Sequence, residues 1–499
     1  MPLELYDTLQ EKAVPFTMSE PGKAKIYVCG PTTYDDAHIG HARPCIVYDV
    51  LVRYLRSQGI EVTYVRNVTD IDDKIIRRAA ENGETPAVLS QRMFESYSTD
   101  MTRLGNLTPD SQPKVSDHIE EIKALVAQLI ERGFAYAKDG DVYFEVSKYA
   151  AYGRLSHRNL LDLEAGASDR VDDAELERKR HPADFALWKG AKVGEVSWPS
   201  PWGPGRPGWH IECSAMSMKE LGSTLDLHGG GLDLVFPHHE NEIAQSECAT
   251  GELYSRHWMH NGFVQVNSEK MSKSLGNFFR LREAFDKVEP EAVRYSLLAV
   301  HYRSPYHLEM DLDDAGHLTG FPQFREAENR LVYLYETKRR LDEVTEAQMD
   351  ASGKDDSAPE VRGFAAALAS ALDVDLNTAQ GLAHLSGLLK AVNELLDRLK
   401  VKKAKLSALS LESAASSLRL VSDVLGLGQD RPVEFLSRVR DRRAKEKGIS
   451  PAWVEEQLTA RKQAREARDF AAADLVRGIL VDKGVEILDS PTGTTWRLS

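Results

Sequence analysis

Residues Pro31–Arg43 read PTTYDDAHIGHAR, and their setting decides the fold. Ahead of them Lys25–Cys29 (KIYVC) is a short apolar run closing on Gly30-Pro31, the pattern of a buried strand that ends in a turn. Behind them Cys45–Leu55 (CIVYDVLVRYL) carries apolar residues at helical spacing. His38-Ile39-Gly40-His41 thus falls where a strand gives way to a helix. Such a junction offers unpaired backbone N–H groups and the positive end of a helix dipole to an anion. Two imidazoles one turn apart can hydrogen-bond phosphate oxygens as charge develops. Gly40 leaves room for a planar base close to the backbone. Read alone, the four residues fit equally well a helix start with two surface histidines.

Working outward, residues 25–117 alternate strand, helix, strand, helix. Glu61–Thr69 is the second strand, and Asp70-Ile71-Asp72-Asp73 opens a helix with acids in its first turn. This is one half of a Rossmann-like nucleotide fold. Residues 118–204 break the pattern with an amphipathic helix at Ile119–Arg132, a hairpin around Lys138-Asp139-Gly140 and a charged stretch at 165–180 expected as a surface loop. They read as an insertion. The fold resumes over 205–316, with Leu225–Pro237 expected as a strand and a glycine turn leading into a helix that starts at His238. Residues 317–430 read as a helical bundle, with Asn377 as a helix cap. A small mixed α/β unit occupies 431–499, with helices at Pro451–Glu466 and Phe470–Asp482 and a terminal hairpin. Residues 1–24 read as a polar lead-in. The expected class is α/β.

Composition narrows the function. The 499 residues predict several domains, and 42% hydrophobic with 28% charged residues is ordinary for a soluble chain. No apolar run is long enough to span a membrane, and MPLELYDTLQEK lacks the plan of a signal peptide, so a cytoplasmic protein is expected. A net charge of −14 argues against indiscriminate coating of nucleic acid. Arg431–Arg477 nevertheless holds twelve Lys/Arg against eight Asp/Glu, a locally basic segment that is either an RNA-facing patch or a solvated helix face. The four cysteines, Cys29, Cys45, Cys213 and Cys248, are too few and scattered for a disulfide scaffold. Cys45 and Cys248 have no partner motif and are assigned to packing. Cys29 and Cys213, with His238 and Glu242 four residues apart on one helix, offer two sulfurs, an imidazole and a carboxylate, a set suited to tetrahedral zinc. Spacing alone leaves buried structural cysteines open as the alternative.

Lys270-Met271-Ser272-Lys273-Ser274, far down the chain, is a polar loop with two lysines and two hydroxyls, the groups needed to hold a triphosphate and neutralise a departing pyrophosphate. HIGH followed by KMSKS is the paired signature of class I aminoacyl-tRNA synthetases, which the chain resembles. Its surrounding residues are most similar to the cysteinyl-tRNA synthetases. These include the Cys before Gly30-Pro31-Thr32, HIEC at His210–Cys213, PHHENE at Pro237–Glu242 and DFALWK at Asp184–Lys189.

The resemblance implies a two-step reaction. ATP and L-cysteine give cysteinyl-adenylate and pyrophosphate, and the cysteinyl group passes to the terminal adenosine of tRNA(Cys). It implies Mg-ATP as substrate and one zinc per subunit on Cys29, Cys213, His238 and Glu242, with zinc selecting the substrate thiolate. His239 is a near miss for that set. His38 and His41 would meet the phosphates, and Lys270 and Lys273 would close over the leaving pyrophosphate. Gly40, Thr69, Trp209, His228 and Asp233 would contribute to the ATP and cysteine pockets. In the C-terminal unit Arg465, Asp474 and Asp489 would hydrogen-bond anticodon bases, Trp496 would stack on one, and residues 443–447 would track phosphate. A monomer is expected. Two alternatives remain: a ligase coupling cysteine to a small amine, as in mycothiol synthesis, and a non-catalytic RNA-binding paralogue. The C-terminal unit argues against the first, and the intact motifs against the second.

Overall fold

The computed structural model describes residues 2–158, 177–192, 194–267, 269–270, 279–490 and 493–498. Lys273, and the expected surface loop as far as residue 176, lie outside the described residues. The first segment is not a mere lead-in. β1 (Glu4–Asp7) and β2 (Lys12–Pro15) form a hairpin anchored by fully buried Leu5. The Thr8 amide donates to the Trp258 carbonyl and the Glu4 amide to the Asp373 carbonyl, 2.8 Å each.

The nucleotide fold begins with β3 (Lys23–Val28), α1 (Ile39–Ser57) and β4 (Glu61–Arg66), followed by α2 (Asp73–Asn82) and α3 (Pro86–Arg103). Asp72, whose carboxylate accepts the Lys74 amide, caps α2. Then come α4 (Ile119–Glu131) and an antiparallel sheet in the order β5 (Ala135–Lys138), β6 (Asp141–Phe144), β7 (Phe185–Gly190), β8 (Gly205–Pro207). The edge strand β8 runs past residue 204, directly into α5 (Trp209–Leu221). β9 (Leu227–Gly231), α6 (Glu240–Thr250) and β10 (Trp258–Asn261) complete the core.

The central sheet is parallel throughout, in the order β4-β3-β9-β10. The chain leaves β3 toward one edge and builds β9 on the other side, so the carboxyl ends of β3 and β9 flank a topological switch point. Alternation along the strands sorts the two faces. Ile26, Val28 and Tyr64 pack with α1, whereas Tyr27, Cys29 and Val65 pack with Cys213 of α5 and Ile243 of α6. The inserted sheet shares a core with the outer sides of α5 and α6, where Cys248 is buried among Ala215, Ala244 and Ala249.

Two glycines are fixed by close approach. A Cβ on Gly30 would lie 1.5 Å from the Asn67 carbonyl oxygen, and one on Gly229 would lie 2.4 Å from the Tyr48 ring. Gly229, Gly230 and Gly231 therefore belong to β9 itself and are not the turn expected after it.

Beyond the sheet, helices Pro322–Asp342, Phe364–Leu372, Thr378–Asp397 and Ala408–Leu420 pack into the core on the α1 side. Asn377 caps the third, accepting the Gln380 amide at 3.1 Å. The helix Pro432–Glu446, absent from the sequence reading, stacks Phe435 on Tyr335 at 3.9 Å between ring centroids. Helices Pro451–Glu466 and Phe470–Asp482 and the hairpin Val485–Ser490 with Gly493–Leu498 enclose a separate small core. Among the described residues no helix is long and apolar enough to cross a membrane.

Candidate active site

An open cleft of about 320 Å³ lies at the switch point, lined among others by Cys29, His38, His41, Trp209, Asp233 and His238. One wall is the start of α1. His38 is its N-cap: the Gly40 amide donates to His38 Nδ1 at 3.1 Å, and the His38 amide donates to His41 Nδ1 at 3.2 Å. Two of the four amides left over at any helix start are thus closed by the imidazoles themselves, so the expectation of a bare backbone cradle is only partly met. The same bonds fix the rings. With both Nδ1 atoms accepting, neutral imidazoles carry their protons on Nε2 as donors. The rings lie 3.8 Å apart. Desolvation, with the charges of His38, Arg66 and Lys74, holds His41 well below the usual imidazole range, so it acts as a neutral donor. Gly40 and Thr69 also line the cleft, Thr69 donating to Glu212 Oε2 at 3.0 Å.

The other wall carries the metal-ligating residue types. Cys29 follows β3, Cys213 sits in α5 and Glu242 in α6. His238 lies in the π-helical turn Val235–His239, which is kinked at Phe236 and runs directly into α6, so helical backbone reaches His238 as expected. All four are buried and their donor atoms converge. Cys29 Sγ is 3.8 Å from Cys213 Sγ and 3.7 Å from Glu242 Oε1, and His238 Nε2 is 2.9 Å from Glu242 Oε1. Two thiolates on a tetrahedral zinc at ~2.3 Å stand about 3.8 Å apart, so the sulfur pair is set for that ion. The four groups set one another's charge. Burial opposes charge on His238, but Glu242 and Cys213 carry it up to about 10. Burial likewise opposes charge on Glu242, and His228 and His238 hold it well below the carboxylate range. The Cys29 hydrogen bond draws Cys213 down to about 6.

A second set, Cys29, His228, His239 and Glu242, overlaps the first. His239 Nε2 is 3.3 Å from Cys29 Sγ, while its Nδ1 is 2.8 Å from His260 Nε2, which ties this ring back into the protein.

His228, expected to line the cysteine pocket, does not border the cleft. It is fully buried behind Glu242 and donates Nε2–H to Oε2 at 2.8 Å. Tyr254, which no motif pointed to, donates to the same oxygen at 2.9 Å. Together they turn Glu242 so that Oε1 faces His238 and Cys29. Trp209 stacks on His238 at 4.4 Å between centroids and borders the cleft, as does Asp233. Lys270 ends a short strand paired with Val264–Val266, so its backbone follows the cleft residues Gly262, Phe263 and Val264. The structure therefore brings His38, Gly40 and His41 of HIGH, Cys29, Cys213 and His238, Thr69, Trp209 and Asp233 to one cleft, with Glu242 buried directly behind its wall.

The C-terminal residues do not converge in the same way. Trp496 is 4% exposed, packs with Val454, Leu458 and Leu480 and donates Nε1–H to Glu455 Oε1 at 2.8 Å. It is a core residue, and a base cannot stack on it. Asp489 is clamped by Arg461 at 2.8 and 3.0 Å, with Arg465 at 3.4 Å. Asp474 and Arg465 are exposed. Arg443, expected to track phosphate, is paired with Glu328 at 2.9 Å.

Comparison with known proteins fits this geometry. The model of the class I (C) tRNA synthetase catalytic domain matches residues 15–315, and that of the DALR domain matches residues 367–429. The chain is 48% identical over 507 residues to the cysteine–tRNA ligase of Geotalea uraniireducens (strain Rf4), covering 99% of each. It is 49% identical over 504 residues to that of Anaeromyxobacter sp. (strain Fw109-5), covering 100% of each. Its fold is similar to that of Mycobacterium tuberculosis methionyl-tRNA synthetase solved with methionyl-adenylate: TM-score 0.60 and 16% identity, over 86% of this chain and 94% of that one. A cleft at the switch point of a parallel sheet, HIGH at a helix start and likeness along the entire chain lead to one conclusion: this protein is an enzyme of the cysteine–tRNA ligase family of class I aminoacyl-tRNA synthetases.

Proposed function

We propose that the protein activates L-cysteine with Mg-ATP and transfers it to tRNA(Cys), and that one zinc ion on Cys29, Cys213, His238 and Glu242 selects the amino acid. The observation that carries the reading is the convergence of these four buried donors, three of which form one wall of a cleft with Glu242 behind them, while the other wall is the HIGH helix start. Bound there, zinc supplies a soft Lewis-acid position that favours a substrate thiolate over a serine hydroxyl. Packing alone separates such near-isosteres by only about 1–3 kcal/mol.

In the first step a cysteine carboxylate oxygen attacks the α-phosphate, the bond to the β-phosphate breaks, and pyrophosphate leaves. In the second a hydroxyl of the terminal tRNA adenosine attacks the activated carbonyl and AMP leaves. No protein nucleophile takes part. The residues position the reactants and stabilise charge. His38 and His41 donate from Nε2 to phosphate oxygens. Gly40 lets the adenine approach. Lys270 and Lys273 neutralise the departing pyrophosphate. Asp233 takes the substrate amine or ribose, Trp209 walls the cysteine pocket and Thr69 lines it. The DALR domain and the C-terminal unit carry the tRNA, with Arg465 and Asp474 the side chains open to it. The enzyme acts as a monomer.

The test is cysteine-dependent ATP–pyrophosphate exchange with and without a zinc chelator, followed by addition of tRNA. Exchange that is lost on chelation, and cysteinyl-tRNA formation, are expected. Exchange without transfer would favour coupling to a small amine, and no exchange would sink the catalytic reading.

A further inference from the structure

We propose that Arg66 is the buried counter-charge for the phosphates of ATP, a binding residue beyond HIGH and KMSKS; this rests on the ATP-dependent reading above. Among the described residues four arginines are buried: Arg43, Arg66, Arg206 and Arg294. Three have their guanidinium ends held by carbonyls or carboxylates of the protein, although Nε of Arg43 and of Arg206 has no partner. Arg43 donates to the carbonyls of Phe263, His301, Tyr302 and Ser304. Arg206 pairs with Asp73. Arg294 pairs with Asp49 and donates to Asn106 Oδ1 and the Leu425 carbonyl. Arg66 differs. It is 6% exposed, and its one side-chain hydrogen bond among the described residues runs from Nη1 to the Tyr64 hydroxyl at 3.3 Å. Its Nε, like those of Arg43 and Arg206, has no partner among the described residues, and it forms no ion pair with them; unlike Arg43, it has no set of backbone carbonyls around its Nη atoms in place of a counter-charge. A buried cation without a counter-charge is costly, so the protein holds it for an anion supplied from outside.

Its position says which anion. Arg66 borders the cleft together with His38, His41 and Lys74, and among the described residues Asp233 is the only carboxylate in that lining. It ends β4 on the face of Tyr64, beneath the start of the 19-residue α1, whose dipole also favours negative charge. Cys29 and Cys213 pack on the opposite face of the sheet, where the amino acid is read. The charge is therefore set toward the triphosphate and not toward the substrate carboxylate.

The test compares wild-type enzyme with Arg66→Met and Arg66→Lys, using ATP and pyrophosphate as probes. Arg66→Met is expected to raise the KM for ATP about 10- to 100-fold in exchange, the loss of one charge-assisted bond, and to leave the KM for cysteine within about twofold. Arg66→Lys, a point charge without the fork, should restore part of the difference. Without ATP the Tm of Arg66→Met should equal or exceed that of wild type, because an unpaired buried charge is gone, while the rise in Tm on adding ATP should shrink. An unchanged KM for ATP with a lowered Tm would make Arg66 structural and overturn the proposal. A rise confined to the KM for cysteine would also overturn it, by making Arg66 a carboxylate anchor. If wild-type enzyme shows no cysteine-dependent exchange, the reading beneath it fails first.

Discussion

The two walls of the cleft solve different problems within one sheet. The wall on the α5–α6 face is dry: every candidate metal-ligating residue is buried, and Glu242 is oriented from behind by His228 and Tyr254. The wall on the α1 face is partly open, and its imidazoles are oriented by two backbone amides of their own helix start. The contrast fits what each wall is proposed to bind. Ion ligands gain from rigidity and exclusion of water, whereas phosphate donors have to meet a ligand that arrives with its own charge. Because β3 presents alternate residues to the two faces, one strand end serves both, with Cys29 facing one way and Gly30-Pro31 leading into HIGH on the other.

If the walls are separable, changes to one should spare the other. The largest effect is expected for Cys213→Ser, which should lose zinc and reduce cysteine-dependent exchange by about a thousandfold or more, while leaving ATP affinity nearly unchanged. Metal analysis alongside ATP titration reads both quantities, and a parallel fall in ATP affinity would break the division. Next comes His41→Asn, whose amide oxygen can still accept the His38 amide. It should lower kcat for exchange about 10²- to 10³-fold at full zinc content. His228→Ala leaves every direct ligand in place but frees one side of Glu242. Zinc affinity, measured by competition with a chromogenic chelator, should drop about 10- to 100-fold. The smallest effect belongs to the C-terminal unit. Arg465→Ala should raise the KM for tRNA severalfold, as expected for one exposed charged contact worth ~1 kcal/mol. Trp496→Phe should leave that KM unchanged and lower the Tm. The reverse pattern would return Trp496 to the RNA surface.

The same two regions explain what could be read before the structure. HIGH and the four candidate metal-ligating residues carry residue types whose chemistry is unusual at a strand end or helix start, and they recur in a family pattern. Trp496 belongs to a Gly-Thr-Thr-Trp-Arg ending whose composition is the same whether the ring faces in or out. Alternation within the strand held the answer, since Trp496 and Leu498 share a face and Arg497 does not. His228 stands before three glycines in a strand, a setting that signals neither a cleft wall nor a carboxylate partner behind it. The helix Pro432–Glu446 was hidden by charge: Arg438, Arg442 and Arg443 look solvated in sequence but pair with Glu289 and Glu328 from other elements. Arg66 sits in a run of strand residues where only burial without a partner sets it apart.

The amino-terminal hairpin has a consequence for the order in which the molecule is completed. Its outward bonds go to Trp258 and Asp373, and the Tyr6 amide donates to the Asp375 carboxylate. During synthesis those partners emerge long after the hairpin itself, Asp373 and Asp375 last, so the hairpin is made well before it can lock fully. The hairpin can meet β10 through Trp258 first, and it acts as a latch whose second end closes only when the helical region arrives. A fragment ending before residue 373 would carry the catalytic motifs of the first 315 residues with this latch fastened at one end only.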